Sequence, residues 1–432
     1  VRAFTSNQSS LAGLARPSLL LPLVWALAAC QSSSPPTPAT YAVRDSAGVR
    51  IVESTAPAWG PGEAWTVTPE PILHIGVVEG AEEYRFTTIR SVVLHWGTWQ
   101  QSDGTIVAAD AGSRQLRRYA SDGTFMNSWG GRGDGPGEFQ ELSATPYRGD
   151  SIMARDSRRW VHSFYDSDGN LGRTLGLNLM ETDPSTGFPT AATSLQLVFG
   201  DGSFLASRSA VTPLGGPTET VSHPPVTFLR YSAEGTLLDT IGVYATPAIR
   251  LLAGDSPLVG TGPPFFHRFV STADETSVYV GSVDGFEIRR VSVLDGSETL
   301  IRASHVDLTT TDADREAYRE SARHYAELGR REPQDVERAL LEVEFPETTP
   351  PFSQLMADSE GYLWVRHYKP GRSQGPETWS VFSPEGYLLG TLETPERLEV
   401  RQIGSDFILG VWIDEFDVQF VRKYALVGRQ LP

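Results

Sequence analysis

Apolar residues along this chain come in short runs of about four to six positions, most of them bounded by an acidic residue beside a glycine. The clearest unit reads Asp103-Gly104-Thr105-Ile106-Val107-Ala108-Ala109-Asp110, then Arg114-Gln115-Leu116-Arg117-Arg118-Tyr119-Ala120-Ser121-Asp122-Gly123-Thr124-Phe125. Runs this short read as strands, because a helix needs an apolar stripe sustained over ten or more residues. Acidic-glycine pairs close hairpins, since glycine takes positive φ without steric cost and aspartate tolerates it. Two kinds of turn alternate. One precedes an apolar strand, at Asp103-Gly104, Gly149-Asp150, Asp201-Gly202, Asp274-Glu275, Glu360-Gly361 and Ser405-Asp406. The other precedes the last strand of a unit, at Asp122-Gly123, Asp168-Gly169, Glu234-Gly235, Asp295-Gly296 and Glu385-Gly386.

A unit of roughly 45 residues with four short strands has the size of one propeller blade. The pattern therefore predicts an all-β chain, a six-bladed β-propeller with blades at 86–130, 139–177, 191–243, 265–305, 351–392 and 396–428. Two β-sandwiches would also give short strands, but not two turn classes alternating at a shared spacing. The second turn class has one member fewer, so the last unit lacks an outer strand. Ile72-Leu73-His74-Ile75-Gly76 resembles the end of the first unit, Phe125 to Gly130. Residues 65–76 are therefore expected to pair with 417–428 and close the ring, which removes its exposed edges. Upstream, Tyr41-Ala42-Val43 and Val49-Arg50-Ile51-Val52 around Asp45-Ser46-Ala47-Gly48 predict a small hairpin.

One connection breaks the β rhythm. Residues 307–350 predict a helical insert between blades 4 and 5. Thr311 caps a first helix with Asp312 and Asp314 in its opening turn, Gly329 ends it, and Pro333 opens a second through Leu341. By topology the insert belongs on the face of Gly130–Phe139, opposite the acidic-glycine turns. It is either a packing cap or a lid over the central funnel. Its arginines 315, 319, 323, 330 and 331 are expected to dock it partly by charge on an otherwise acidic body.

Composition alters this picture only at its edges. A formal net charge of −17 argues against nucleic acid or an anionic lipid surface as a direct partner, since both need clustered cations. The single cysteine, Cys30, follows the apolar run 19–27 as Leu27-Ala28-Ala29-Cys30. That run reads as a secretory signal and is too short for a spanning helix. The sequence is thus divided into a leader (1–29), a Ser/Pro/Thr-rich tether with the hairpin (30–62) and the propeller (63–432).

Three resemblances follow from these residues. Leu-Ala-Ala-Cys resembles the bacterial lipobox, which implies lipidation of Cys30 and a chain anchored in the cell envelope; Gln31 in place of aspartate favours the outer membrane. Trp129-Gly130-Gly131-Arg132-Gly133-Asp134-Gly135-Pro136-Gly137-Glu138-Phe139, with Ala108 to Leu116, resembles the NHL repeat over 86–177. The chain as a whole looks like the six-bladed propeller lipoproteins of bacteria. Lyases of the NHL-like class hold a metal with histidines from several blades, which would make His223, His267 and His367 candidates for a divalent ion. The three do not share one position within their blades, and the asparagines used by lactonase-like calcium sites are scarce, so no cofactor is expected. No Gly-x-Ser-x-Gly elbow or His-Glu-x-x-His helix occurs. The rim residues Asp110, Arg114, Arg132, Glu138, Asp156, Arg158, His267, His367, Lys369 and Arg372 form the default binding surface. The expectation is a non-enzymatic, envelope-tethered protein that binds a protein, peptide or glycan; the alternative is a secreted metal-dependent hydrolase or lyase.

Overall fold

The computed structural model describes residues 40–432 apart from 90–97, 178–179, 183, 186–188, 211–220, 223–224, 247–248, 251–263, 268, 283–284, 305, 330, 372–374 and 430–432. The expected leader, Cys30 and the tether as far as residue 39 lie outside the described residues. No helix among the described residues is long and apolar enough to cross a membrane.

The expected six-bladed β-propeller is present. Blade 1 comprises Thr98–Gln100, Ile106–Asp110, Gln115–Tyr119 and Phe125–Gly130; blade 2, Leu142–Pro146, Ile152–Asp156, Val161–Tyr165 and Leu171–Gly176. Blade 4 is built from Ser271–Ala273, Ser277–Gly281, Glu287–Ser292 and Glu298–Ala303, and blade 5 from Phe352–Ala357, Leu363–His367, Glu377–Phe382 and Leu388–Thr394. Blade 3 differs from expectation by one strand. Met180–Thr182 pairs on the inner side of Pro189–Val198, ahead of Phe204–Ala210, Val226–Tyr231 and Leu237–Tyr244. The inner strand of this blade is long enough to offer its first residues to a further partner.

Alternate residues on each strand face opposite neighbours, so the core is a set of seams between blades rather than one mass. Val107, Ala109 and Leu116 of blade 1 meet Ile152, Ala154 and Tyr165 of blade 2. Met153 and Phe164 turn the other way, onto Leu195, Phe204 and Ala206 of blade 3. Phe286 and Ile288 pack on Phe352 and Leu355, and Trp364 and Trp379 on Leu398 and Val400. The turn glycines fit these seams. Gly169 sits at φ +88°, and a Cβ there would come within 2.8 Å of the Trp129 ring on the preceding blade, so both conformation and space require glycine.

The ring closes as expected. Blade 6 contributes Leu398–Ile403, Phe407–Ile413 and Gln419–Val427, and its outer positions are filled from the N-terminal side. Thr66 pairs with Val427 and Val67 with Leu426, while Leu73, His74 and Ile75 pair with Lys423, Arg422 and Val421. Arg429 fixes this closure. Its side chain, 1% exposed, pairs with the fully buried Asp358 at 2.9 Å and with Glu360 at 2.7 Å. It also donates to the Gly404 carbonyl and lies over the rings of Trp65 and Tyr362. Asp358 in turn accepts from Trp364 Nε1.

The hairpin Tyr41–Ser46 and Val49–Ser54 also forms, and its destination was not foreseen. Val49–Ser54 pairs in parallel with Glu298–Ala303, extending blade 4 outward. The chain then crosses blade 5. Ser54 Oγ accepts from the Leu388 amide at 2.9 Å, and the amides of Ala58 and Trp59 donate to the carbonyls of Leu388 and Leu389. Tyr41 stacks on Tyr387. Residues 41–75 therefore form a belt across blades 4, 5 and 6.

The two helices, α1 (Asp312–Leu328) and α2 (Pro333–Leu341), stand in the C-terminal part of the chain, after Glu298–Ala303 and before Phe352–Ala357. Thr311 and Asp314 form a reciprocal capping box, Gly329 is the C-cap and Pro333 occupies the first turn of α2. The helices enclose a small core of their own: Tyr318, Ala322, Ala326, Val336 and Leu340 around Phe265, with Phe345 and Tyr368 against it. Docking is apolar, which corrects the expectation of docking by charge. Arg315 pairs with Asp312, Arg319 with Glu316, and Arg323 with Glu316 and Glu337. The insert carries acids at the spacing its own arginines need. Arg330 lies outside the described residues.

Candidate functional site

The rim that carries the loops between second and third strands is where sequence reasoning placed the candidate residues. Tyr368 and Gly371 of that loop in blade 5 lie against α1, and a Cβ at Gly371 would collide with the Ala317 carbonyl. The helices therefore share this rim.

Two of its three acidic candidates, Asp110 and Asp156, are held by the scaffold. Asp110 ends the second strand of blade 1 and is fully buried. One carboxylate oxygen accepts from the amides of Thr87, Thr88 and Gly112; the other accepts from Ser113 Oγ and pairs with Arg117 at 3.3 Å. Arg117, also buried, donates to the carbonyls of Glu82, Glu83 and Arg85. Asp156 holds the same register in blade 2. It accepts from the Gln140 amide at 2.8 Å and from the amides of Arg158 and Arg159. Each aspartate thus ties its own strand turn to the loop leading into its blade. A carboxylate with its lone pairs directed at backbone amides is poorly placed to take a proton from a substrate.

The remaining candidates are dispersed around the rim. Arg114, at φ +60°, donates from Nε to the Gln140 carbonyl at 2.8 Å and so links blade 1 to the blade 2 junction. Glu138 is exposed and accepts from the Gly135 amide, closing the glycine-rich loop. Arg132 and Arg158 are exposed, the latter held by its backbone alone. His367 Nε2 lies 2.8 Å from Ser380 Oγ. Lys369 donates to the carbonyls of Gly375 and Pro376 within its own loop. His267 is half-buried, two residues along the chain from Phe265 of the helix core. His223 and Arg372 lie outside the described residues. Among the described residues no three His, Cys, Asp or Glu side chains gather as a metal site would require.

Two features escaped the sequence reading. The first is a cavity of about 440 Å³ between the outer parts of blades 3 and 4, lined by Ile241, Val243, Tyr244, Glu287, Arg289 and Glu298 among others. Its charges satisfy one another: Arg289 pairs with Glu298, and Glu287 with Arg302 at 2.6 Å.

The second lies one residue inside Asp156. Arg155 and His162 face each other across neighbouring strands of blade 2, on the side turned to blade 3. Arg155 is 7% exposed and His162 2%. Neither ring nitrogen of His162 has a hydrogen-bond partner, nor does Arg155 Nε. Burial, with the neighbouring Arg155 guanidinium, holds the His162 pKa down at about 4, and the Leu175 backbone beside it offsets this only in part. Burial also lowers the Arg155 pKa, opposed by the charge of Glu141. The Trp160 ring, 5.7 Å from the guanidinium carbon, is the other neighbour. A register comparison across blades was the signal that could have exposed this pair, since blade 1 carries Ala109 and Leu116 at the same place.

No family model and no curated protein matches the chain. Solved structures similar to it include a putative exported protein of Bacteroides fragilis, at 12% identity and TM-score 0.44, covering 87% of this chain and 99% of that one. A member of the DUF4221 family from Bacteroides vulgatus aligns at 10% identity and TM-score 0.46, over 84% and 98% of the two chains. The virginiamycin B lyase of Staphylococcus aureus aligns at 10% identity and TM-score 0.35, over 77% and 94%.

Proposed function

We propose that this chain is an envelope-tethered propeller of NHL-like build that binds a protein, peptide or glycan on the rim bearing α1, α2 and the 131–138 loop, without catalysing a reaction there. The observation that carries this reading is the state of the rim carboxylates. Asp110 and Asp156 are consumed in holding backbone amides, and what the rim presents outward is Arg132, Arg158, the glycine-rich loop and a docked helix pair. Apart from Glu138, which is exposed and closes the glycine-rich loop, such a face offers shape and hydrogen bonds rather than a poised acid or base. Tyr325, Leu328 and Leu341 are exposed on the helices, which gives a partner apolar footing.

Replacing 307–350 by a short Gly-Ser link tests the site. No blade strand lies within that segment, so the shortened chain should fold as a propeller and lose the partner that the full chain captures from envelope membranes. Undiminished capture would move the site off the helices. Metal analysis of the purified full chain addresses the hydrolase or lyase alternative, which needs a bound divalent ion. Anchoring through Cys30, at the outer membrane, rests on the lipobox-like Leu27-Ala28-Ala29-Cys30 and on Gln31. Cys30→Ser should release the chain from membranes, and an unmodified cysteine in the mature protein would exclude the anchor.

A further inference from the structure

The geometry points to Arg155 and His162 as a receiving site for a carboxylate-bearing ligand at the seam of blades 2 and 3. The other blades place quite different residues at this register. Blade 1 pairs Ala109 with Leu116, blade 3 Ser207 with Phe228, blade 4 Gly281 with Ile288, and blade 6 Val411 with Val421. A seam is thus filled there without charge. Blade 5 has Arg366 opposite Trp379, but Arg366 Nε donates to Ser353 Oγ at 2.9 Å, and Glu377 and Glu399 supply opposing charge. Blade 2 alone sets an arginine against a histidine; Glu141 supplies opposing charge to Arg155, as the glutamates do in blade 5, but Arg155 Nε and the two His162 ring nitrogens have no hydrogen-bond partner of good geometry.

A buried guanidinium without an acceptor is costly, and replacing it by an apolar side chain is ordinarily neutral or stabilising. The fold therefore does not need this pair. The fraction of Arg155 that stays accessible leaves it reachable from outside, and Arg155 lies next to Asp156, the last residue of its strand. One guanidinium forks onto one carboxylate through two parallel hydrogen bonds. A neutral imidazole supplies a further donor without a second charge. One cation beside a neutral ring, in a body of net charge −17, suits a monoanion rather than a phosphate dianion. The adjacent Leu175 and Trp160 give the ligand's carbon skeleton an apolar wall.

This site is independent of the helices, so the two proposals fail separately: excising 307–350 leaves blade 2 untouched. The test titrates sodium propionate into the purified full chain, with sodium chloride and sodium phosphate at matched ionic strength, reading the melting temperature and the heat of binding. Propionate should raise the melting temperature saturably and chloride should not. R155M should melt at or above the parent and bind propionate at least about tenfold more weakly, the loss expected when a charge-assisted hydrogen bond is removed. The double variant R155A/H162L, which copies blade 1, should fold and show no propionate response. Three results would overturn the site: equal responses to propionate and chloride, a stronger response to phosphate, or a propionate response that survives in R155A/H162L.

Discussion

Arg429 and Arg155 are both buried arginines at blade seams, and their surroundings could hardly differ more. Arg429 sits between blades 5 and 6 with two carboxylates, a carbonyl and two aromatic rings around it. Arg155 sits between blades 2 and 3 with one ring and the charge of Glu141 nearby, and its Nε has no acceptor. The first joins the C-terminal end of the chain to blade 5 and, through Trp65, to the closing segment. The second meets only the Trp160 ring and the charge of Glu141. Burial alone therefore does not identify a structural arginine; the acceptors around it do.

The contrast breaks most visibly at Arg429. Arg429→Ala strands Asp358 as a buried charge and should cost about 3–5 kcal/mol, read as a lower urea midpoint at unchanged slope. A loss below about 1 kcal/mol would mean that the clamp does not hold the closure. The next effect is set by His162. Its folded pKa lies below the unfolded value, so the unfolded chain binds the extra proton first as the medium acidifies. Stability should fall as pH drops from about 6.5 toward 4, by about 3 kcal/mol in all. His162→Leu should remove that component from the pH profile, and an unchanged profile would show that His162 titrates normally. The smallest effect belongs to Arg155. Arg155→Ala should shift stability by no more than about 1 kcal/mol, or raise it. A loss comparable to that at Arg429 would erase the distinction drawn between the two.

What the sequence discloses about this molecule is whatever is encoded locally. The Asp-Gly turns, the Thr311 cap, Gly329 and Pro333 each specify their own conformation through nearby atoms, and all stand where expected. The closing strands were legible for a different reason: a missing member in one of two turn series. The parallel addition of Val49–Ser54 to blade 4 was not legible, because its partner lies far along the chain and neither segment names the other. The fifth strand of blade 3 is only three residues long, with too little pattern to detect. At the rim, chemistry was read from residue type. Asp110 and Asp156 are acidic and rim-proximal, but their hydrogen bonds show them to be backbone acceptors. Arg155 and His162 escaped because they sit inside an otherwise apolar strand pair, where a charge acquires meaning only after the blades are aligned.

The belt of residues 41–75 has a consequence in time and under load. Its partners, from Glu298–Ala303 to Gln419–Val427, are made long after it. The Thr68 hydroxyl that receives the Ala425 amide is separated from it by 357 positions. As the chain emerges, this belt has only its own hairpin to pair with, and ring closure waits for the final strand; contacts so distant in sequence slow folding. Once closed, the order of events reverses. A pull on the chain ahead of Tyr41 meets the exposed first strand of the hairpin, then the rungs to blade 4, then the contacts with blade 5, so the belt would peel away before the ring itself opens at blade 6.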